Sequence, residues 1–285
     1  MKLRKALERA KEERDKGTTA PGQASSLETD SPESIPGKAV IQQLPPEGQK
    51  KEINKPDSDW KPPQYTDSVQ YQLQPNIVEK NLGVCINPDS KEIEQYKILR
   101  TRIHNQARDR KMNTIMITSP HRNEGKTVTA INMGFVFARD LKQTVLLVDC
   151  DFKGQDIHDY LGIDSKFSLI DYFLDDTPLN ELIIWPGIDK LTLISGDRTV
   201  ADSSELLSSE KMENLVKEMG RRYDDRYVFF DAPPVLEHAE AIAMAPMMDG
   251  IIMVVEAGRT SRRDVQKAVS LLPQEKFLGF VLNKL

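Results

Sequence analysis

Residues 115–127 read Ile-Met-Ile-Thr-Ser-Pro-His-Arg-Asn-Glu-Gly-Lys-Thr, and this stretch decides the fold. An apolar, β-branched run leads into a polar loop that closes on Gly125-Lys126-Thr127. Phosphate-binding loops of P-loop proteins follow a strand, open a helix and carry the pattern G-x-x-x-x-G-K-[ST]. Pro120 stands where that pattern has its first glycine, so the match fails at one position. We interpret the stretch as a phosphate-binding loop, the alternative being a chance Gly-Lys-Thr at a helix start.

The residue types of this loop suit a nucleotide. A glycine lets the backbone approach a phosphate closely, and amides at a helix N-terminus attract anions. A lysine here can reach the terminal phosphates, and a Thr hydroxyl can bind Mg²⁺. Asparagine tolerates the left-handed conformation that such loops often need. The predicted nucleotide-contacting loop residues are Asn123, Glu124, Gly125, Lys126, Thr127 and Val128.

Carboxylates end two further apolar runs. Residues 145–151 finish on Asp149 and Asp151, which the two-residue period of a strand puts on one face. Residues 227–234 carry Asp231 in the manner of a Walker B strand. A single Asp at a strand end is often only a cap or turn residue. Three of them beside Gly-Lys-Thr predict a Mg²⁺–nucleotide site, because ligands bind at the carboxyl ends of parallel strands.

Strand and helix patterns alternate from about residue 90 onwards. We therefore predict an α/β fold, a mostly parallel P-loop NTPase sheet with helices on both faces. Several strands read as continuous apolar runs, as strands buried on both faces do. The predicted strands are 114–118, 144–150, 190–195, 227–232, 250–256 and 277–283. The predicted helices are 91–108, 125–139, 204–222, 239–247 and 261–272.

Composition divides the 285 residues into three parts. Residues 1–16 form a charged helix pattern, residues 17–85 are interpreted as a disordered Pro-rich linker, and residues 86–285 form the P-loop domain. Nine of the 17 prolines lie between residues 17 and 80, and such segments cannot bury enough apolar surface to fold.

The charge and cysteine content exclude several classes of protein. The net charge of −5 argues against a general nucleic-acid binder. Two cysteines cannot form a disulfide framework. No apolar run approaches the roughly 20 residues of a membrane span. We expect a cytoplasmic protein without a membrane span.

These motifs resemble the bacterial tyrosine kinases of exopolysaccharide synthesis, which are MinD/ParA-like P-loop ATPases. The resemblance rests on the paired carboxylates Asp149 and Asp151 and on the sequence Asp-Ala-Pro-Pro at residues 231–234. It covers about residues 90–285 and is nearest to the exosortase-associated autokinase-like branch. The sequences of residues 129–132, 205–207 and 281–284 are similar to those of that branch.

The resemblance implies a role for each site residue. It makes Lys126 the phosphate contact and Asp149 the base or the water-mediated metal partner, with Asp151 near the metal and the acceptor hydroxyl. Asn283 is implied to touch the adenine. The implied catalytic residues are Lys126, Asp149 and Asp151, and the implied metal-binding residues are Thr127, Asp149, Asp151 and Asp231. The implied cofactors are ATP and Mg²⁺.

The family also implies partners. Its E-x-x-R-x-x-R helix packs one subunit on the next, and here that helix reads Glu94, Lys97 and Arg100. By resemblance, the chain forms a homo-oligomer and is recruited to the inner face of the membrane by a chain-length or polysaccharide export protein. His121 stands where MinD/ParA proteins carry a signature lysine. This favours the kinase branch, and we interpret the His121 side chain itself as solvated.

The chain departs from the family at its end. Family kinases usually end in a tyrosine-rich tail, whereas this sequence stops at Leu285, directly after the last predicted strand. We therefore expect no autophosphorylation of a C-terminal cluster. The acceptor is then Tyr65 or Tyr71, or another protein, or the chain only hydrolyses ATP. Two alternatives stay open: a nucleotide-gated scaffold without kinase activity, and a MinD/ParA-like positioning ATPase.

Overall fold

The computed structural model describes residues 68–110, 112–140, 142–200, 203–223 and 225–284, all within the compact unit Lys55–Leu285. The strands are β1 (Val69–Gln70), β2 (Thr114–Thr118), β3 (Thr144–Asp149), β4 (Ile184–Trp185), β5 (Leu191–Ile194), β6 (Arg226–Asp231), β7 (Gly250–Glu256) and β8 (Phe277–Asn283). The helices are α1 (Pro75–Lys80), α2 (Ile93–Arg110), α3 (Lys126–Ala138), α4 (Ile157–Leu161), α5 (Leu169–Leu174), α6 (Leu179–Leu182), α7 (Ser203–Leu207), α8 (Glu210–Arg221), α9 (Ala239–Met244) and α10 (Arg262–Ser270).

These strands form one eight-stranded sheet in the order β1-β4-β5-β3-β6-β2-β7-β8. Every neighbouring pair is parallel except β4 and β5, which are antiparallel. The predicted mostly parallel α/β sheet is therefore confirmed. β2 and β3 lie on either side of β6, so the loop after β2 and the acidic ends of β3 and β6 meet at one edge.

Apolar layers cover both faces of the sheet. Phe229 and Phe230, consecutive on β6, are both fully buried and enter opposite layers, as the two-residue period requires. One layer includes Ile103 of α2 and Phe135 of α3. The other includes Leu215 of α8. Burial on both faces explains why the central strands read as uninterrupted apolar runs.

Register brings the strand-end carboxylates together. Asp149 of β3 pairs directly with Asp231 of β6, and Ile117 of β2 pairs with the same Asp231. Chain order separates these three residues widely, but parallel pairing aligns their carboxyl ends. The loop that follows β2 therefore opens onto two buried carboxylates.

The prediction of one continuous helix at 204–222 is wrong. The structure has two helices there, α7 and α8, with a break at residues 208–209. The Ser209 side chain accepts a hydrogen bond from the Met212 backbone N–H at the start of α8. A serine in this position caps a helix N-terminus, so a second helix begins inside one amphipathic pattern.

The linker boundary also needs correction. The sequence predicts that residues 68–85 belong to the linker, yet they contain β1 and α1, and a 3₁₀ turn lies at Val84–Ile86. Val78 of α1 and Cys85 of the turn are fully buried in the layer that contains α3. The predicted helix at 1–16 and residues 17–67 of the linker lie outside the described residues.

In the part of the chain that the structure describes, none of the helices is both long enough and apolar enough to span a bilayer.

The correction at residues 68–85 predicts a difference between two Val→Ala variants. Val78 is fully buried and Val69 is 52% exposed. Val78→Ala is expected to lower the free energy of unfolding by about 2 kcal/mol, since it removes buried methyl groups and leaves a cavity. Val69→Ala is expected to change it by less than about 0.5 kcal/mol. Urea unfolding of the full chain measures both, and equal effects would contradict the packing of α1.

Candidate functional site

The loop between β2 and α3 adopts the conformation of an anion cradle. Gly125, which precedes α3, has a φ of 95°, and Asn123 has a φ of 63°. Both are left-handed, a region that glycine enters freely and asparagine tolerates. The first amides of α3 have no partner within the helix and lie at the positive end of its dipole. The loop can therefore receive a phosphate group, as the sequence predicts.

Lys126 joins this loop to the strand-end carboxylates. Its Nζ lies 2.9 Å from Asp151 Oδ2 and 3.7 Å from Asp231 Oδ1. Thr127 Oγ1 donates a 2.6 Å hydrogen bond to Asp231 Oδ2. Asp149, on the strand beside Asp231, is fully buried. The predicted catalytic and metal-binding residues thus share one site.

Burial and charge shift the pKa values of this group. Burial lowers the pKa of Lys126, but Asp231 and Asp151 outweigh it and hold that pKa above its ordinary value. Burial raises the pKa of Asp231 to about 6, although Lys126 and Thr127 oppose the shift. Burial, followed by the neighbouring Asp231, raises the pKa of Asp149 well above its usual range. One lysine therefore only partly compensates these carboxylates.

This arrangement fits a Mg²⁺ ion that takes only one or two of its ligands from the protein. Asp231 Oδ1 is buried and accepts no hydrogen bond from any described residue. Among the residues described, no three His, Cys, Asp or Glu side chains are grouped to hold a metal. Mg²⁺ typically keeps several waters and uses one or two carboxylates plus phosphate oxygens. Thr127 and Asp231 are the protein groups best placed for that role.

The predicted nucleotide-contacting residues divide into two sets. Asn123, Gly125, Lys126, Thr127 and Val128 line the cavity at the loop, together with Asp151, Asp156 and Tyr160. Glu124 and Asn283 are not part of this lining and hold the loop from behind.

Glu124 and Asn283 contact the loop backbone or its neighbours. The buried Glu124 carboxylate accepts hydrogen bonds from the His121 backbone N–H and the Thr260 hydroxyl. Asn283 Nδ2 donates to the Glu124 carbonyl at 2.9 Å. A Cβ on Gly125 would lie 2.0 Å from that same Asn283 Nδ2. Glycine is therefore needed both for its φ and for the space that Asn283 occupies.

His121 is not simply solvated, which corrects our interpretation. Its Nδ1 lies 3.3 Å from Glu237 and its Nε2 lies 3.6 Å from Asp264. Arg122 also pairs with Glu237, at 3.2 Å. These contacts join the phosphate loop to the loop after β6 and to α10. The sequence could not indicate them, because the partners lie more than 100 residues away along the chain.

Four further residues near the site carry no sequence pattern that singles them out: Asp156, Tyr160, Ser195 and His158. Asp156 and Tyr160 line the phosphate cavity, and the other two lie behind Asp149. Asp156 and His158 follow the acidic strand end closely, and this proximity was the one available signal. Ser195 directly follows β5, the strand beside β3, and a lone serine carries no pattern.

Two other predicted features lie away from this site. Glu94 and Lys97 form an exposed 2.6 Å ion pair on α2. Arg100 instead donates a 2.9 Å hydrogen bond to the Val136 carbonyl of α3. Tyr71 is half-buried and packs against a core layer, so it belongs to the folded part of the chain and not to the predicted linker. Tyr65 lies outside the described residues.

A larger cavity does not coincide with this site. It measures about 640 Å³ and is lined by Asn113 and Asp249 among others. Those two residues precede β2 and β7, so the cavity lies at the amino ends of the strands. We assign the candidate site to the smaller cavity at the phosphate loop, because Lys126 and Asp151 line it and Lys126 also reaches the buried Asp231.

Comparisons with known proteins indicate the family of this chain. A family profile described as an AAA domain matches residues 112–274. The tyrosine-protein kinase YwqD of Bacillus subtilis is 31% identical over 208 residues, which cover 72% of this chain and 86% of that protein. The tyrosine-protein kinase CpsD of Streptococcus pneumoniae serotype 4 is 31% identical over 67% of this chain and 84% of its own length.

A solved structure has the same fold. The crystal structure of the chimerical protein CapA2B2 superposes with a TM-score of 0.65 and 25% identity, covering 76% of this chain and 93% of that one.

The crowding at Gly125 predicts a matched pair of Gly→Ala variants. Gly258 also has a positive φ, of 72°, but has open space around it. Each variant is expected to lose about 1–2 kcal/mol of stability from the left-handed alanine. Gly125→Ala alone is expected to weaken binding of a fluorescent ATP analogue about tenfold or more, because the shifted loop loses a hydrogen bond to phosphate. Equal affinities for the two variants would contradict the proposed cradle.

Proposed function

The chain belongs to the bacterial tyrosine-kinase family of P-loop ATPases, and we propose that it binds Mg-ATP and transfers or hydrolyses the γ-phosphate. The observation that carries this proposal is the position of Lys126 between the phosphate loop and the strand-end carboxylates, 2.9 Å from Asp151 and 3.7 Å from Asp231. A lysine in that position neutralises charge on the terminal phosphates.

The proposed chemistry is positioning and charge neutralisation. The oxygen of a tyrosine hydroxyl, or of water, attacks the γ-phosphorus, and the bond from that phosphorus to the β-phosphate oxygen breaks. Asp149 accepts the proton of the attacking group through Oδ1, and Lys126 with the loop amides offsets the developing negative charge. Thr127 and Asp231 would hold Mg²⁺, and the ion would supply positive charge that offsets the charge of the phosphate oxygens.

The acceptor and the partners belong to the same proposal. Tyr160 already lines the phosphate cavity, so an incoming phenol would enter beside its ring. We propose that the acceptor is a tyrosine of a neighbouring subunit or of another protein. The proposed setting is the inner face of the membrane, beside a polysaccharide chain-length or export protein. Glu94 and Lys97 are the exposed α2 residues for a subunit contact.

Arg100 fits the subunit contact less well. Its guanidinium is directed to α3 and lies 3.8 Å from Asp140 of its own chain. A neighbouring subunit would therefore have to compete with these internal contacts. In the proposed oligomer, the subunit contact is made by the exposed surface of α2 more than by the Arg100 side chain.

Replacement of Lys126 tests the enzymatic proposal. Lys126→Met is expected to lower the rate of phosphate release from Mg-ATP by about 10²–10³-fold, because one charged group that stabilises the transferring phosphoryl is lost. Lys217→Met is the control, since Lys217 lies on α8 and pairs with Glu213 on the surface. Labelled ATP and phosphotyrosine detection measure both activities.

The same variants separate the kinase from the nucleotide-gated scaffold. A wild-type chain that neither labels tyrosine nor releases phosphate would overturn the enzymatic proposal. If partner binding still required ATP in that chain, the scaffold alternative would gain. A scaffold works through the different affinity of two conformations for ATP, so its assembly would tolerate loss of hydrolysis.

A further inference from the structure

Three segments converge on the carboxylate of Asp149. Its Oδ2 accepts a 2.9 Å hydrogen bond from Ser195 Oγ, after β5, and a 3.1 Å bond from the Ile157 backbone N–H, at the start of α4. Its Oδ1 accepts a 3.2 Å bond from the Asp151 backbone N–H. A carboxylate oxygen has two lone pairs. Counting the described residues, both lone pairs of Oδ2 are taken, whereas Oδ1 keeps one open lone pair.

Two nitrogen atoms of His158 in turn contact the Ser195 hydroxyl. Ser195 Oγ accepts a 3.1 Å hydrogen bond from the His158 backbone N–H and lies 3.2 Å from His158 Nδ1. Ser195 is fully buried and His158 is 6% exposed. Neither residue lines the phosphate cavity. Their contacts are therefore directed to Asp149 and not to a nucleotide.

Counting donors and acceptors fixes the direction of these bonds. A hydroxyl has one proton to donate and two lone pairs to accept. The Ser195 proton goes to the Asp149 carboxylate, which leaves both lone pairs for His158. With Asp149 ionised, we infer that His158 Nδ1 carries a proton and donates it to Ser195 Oγ, while Nε2 of the same ring lies 3.6 Å from Asp159 Oδ1. This assignment follows from the hydrogen-bond network.

We propose that Ser195 and His158 are positioning residues that orient Asp149 for phosphoryl transfer. The chain of donors runs from His158 Nδ1 to Ser195 Oγ and on to Asp149 Oδ2. It holds Oδ2 away from the reaction and leaves Oδ1 as the oxygen that accepts the proton of the attacking hydroxyl or water. The inference rests on the proposed function, because it concerns the same reaction.

Loss of the Ser195 hydroxyl would release Asp149 Oδ2 and let the carboxylate rotate. Supporting groups behind a functional side chain typically contribute 10–100-fold, and misplacement by about 1 Å has a similar effect. We therefore expect kcat to fall while ATP affinity stays unchanged. A merely structural role would lower stability without this separation of kcat from KM.

Two pairs of variants test the proposal in the full chain with Mg-ATP. Ser195→Ala removes the donor, whereas Ser195→Thr keeps a hydroxyl. His158→Gln places its amide where His has Nε2, whereas His158→Asn places an N–H where His has Nδ1. We expect kcat to fall about 10- to 100-fold in Ser195→Ala and His158→Gln. We expect Ser195→Thr and His158→Asn to stay close to wild type, and all four to bind an ATP analogue as the wild type does.

The ring of His158 gives a second measurement that needs no turnover. Long-range ¹⁵N–¹H spectra of the nucleotide-free protein report which ring nitrogen carries the proton, and His158→Asn identifies the signal. We expect a protonated Nδ1 in the wild type and loss of that preference in Ser195→Ala. A neutral ring protonated only at Nε2 would overturn the proposed direction of the hydrogen bonds.

The outcomes distinguish this inference from the proposed function. An active wild type with an equally active Ser195→Ala overturns the positioning role alone. Equal losses in His158→Asn and His158→Gln also overturn it, because then the volume of the side chain and not the Nδ1 donor matters. A wild type with no more turnover than Lys126→Met overturns the proposed function and the positioning role with it.

Discussion

Three carboxylates surround a single ammonium group, and this imbalance of charge governs the construction of the whole site. Asp149 and Asp231 are at most 1% exposed, and Asp151 is 8% exposed. A buried ion without compensation is penalised by several kcal/mol, so each carboxylate needs donors. Lys126 forms ion pairs with Asp151 and Asp231, and Thr127 donates a hydrogen bond to Asp231. Ser195 and two backbone amides donate hydrogen bonds to Asp149. A divalent cation bound here would compensate the excess negative charge of the carboxylates, and it could arrive together with a nucleotide.

The parallel sheet makes this concentration of charge possible. β2, β6 and β3 are neighbours, and Asp149 and Asp231 are directly paired in register. The helix that follows β2 contributes its positive end at the same edge. The strands supply fixed positions and the helix supplies amides, so the loop itself needs little length. Pro120 in place of the usual first glycine is compatible with this arrangement, since the close approach occurs at Gly125.

The last strand and the following residue hold the loop from behind. Asn283 donates to the Glu124 carbonyl at 2.9 Å, and Lys284 Nζ donates to the Asn123 carbonyl at 2.5 Å. Thr260 and the His121 amide hold the Glu124 carboxylate. The bonds from Thr260, Asn283 and Lys284 connect the loop to segments more than 130 residues later in the chain. The conformation of the loop is thus a property of the complete sheet, including its edge strand β8.

The sequence by itself determined the fold class, the phosphate loop and the strand-end carboxylates. Strands β2, β7 and β8 have the predicted bounds, because long apolar runs and their breaks are local signals. The short elements β1, β4 and α1 are not predicted from the sequence, because a segment of two to six residues is too short to show periodicity. Only the tertiary structure decided what surrounds each site residue. Asp149 meets Ser195 across 46 residues, and Asn283 meets Glu124 across 159. Sequence patterns specify faces and ends of elements, whereas contacts between distant side chains depend on strand order and packing.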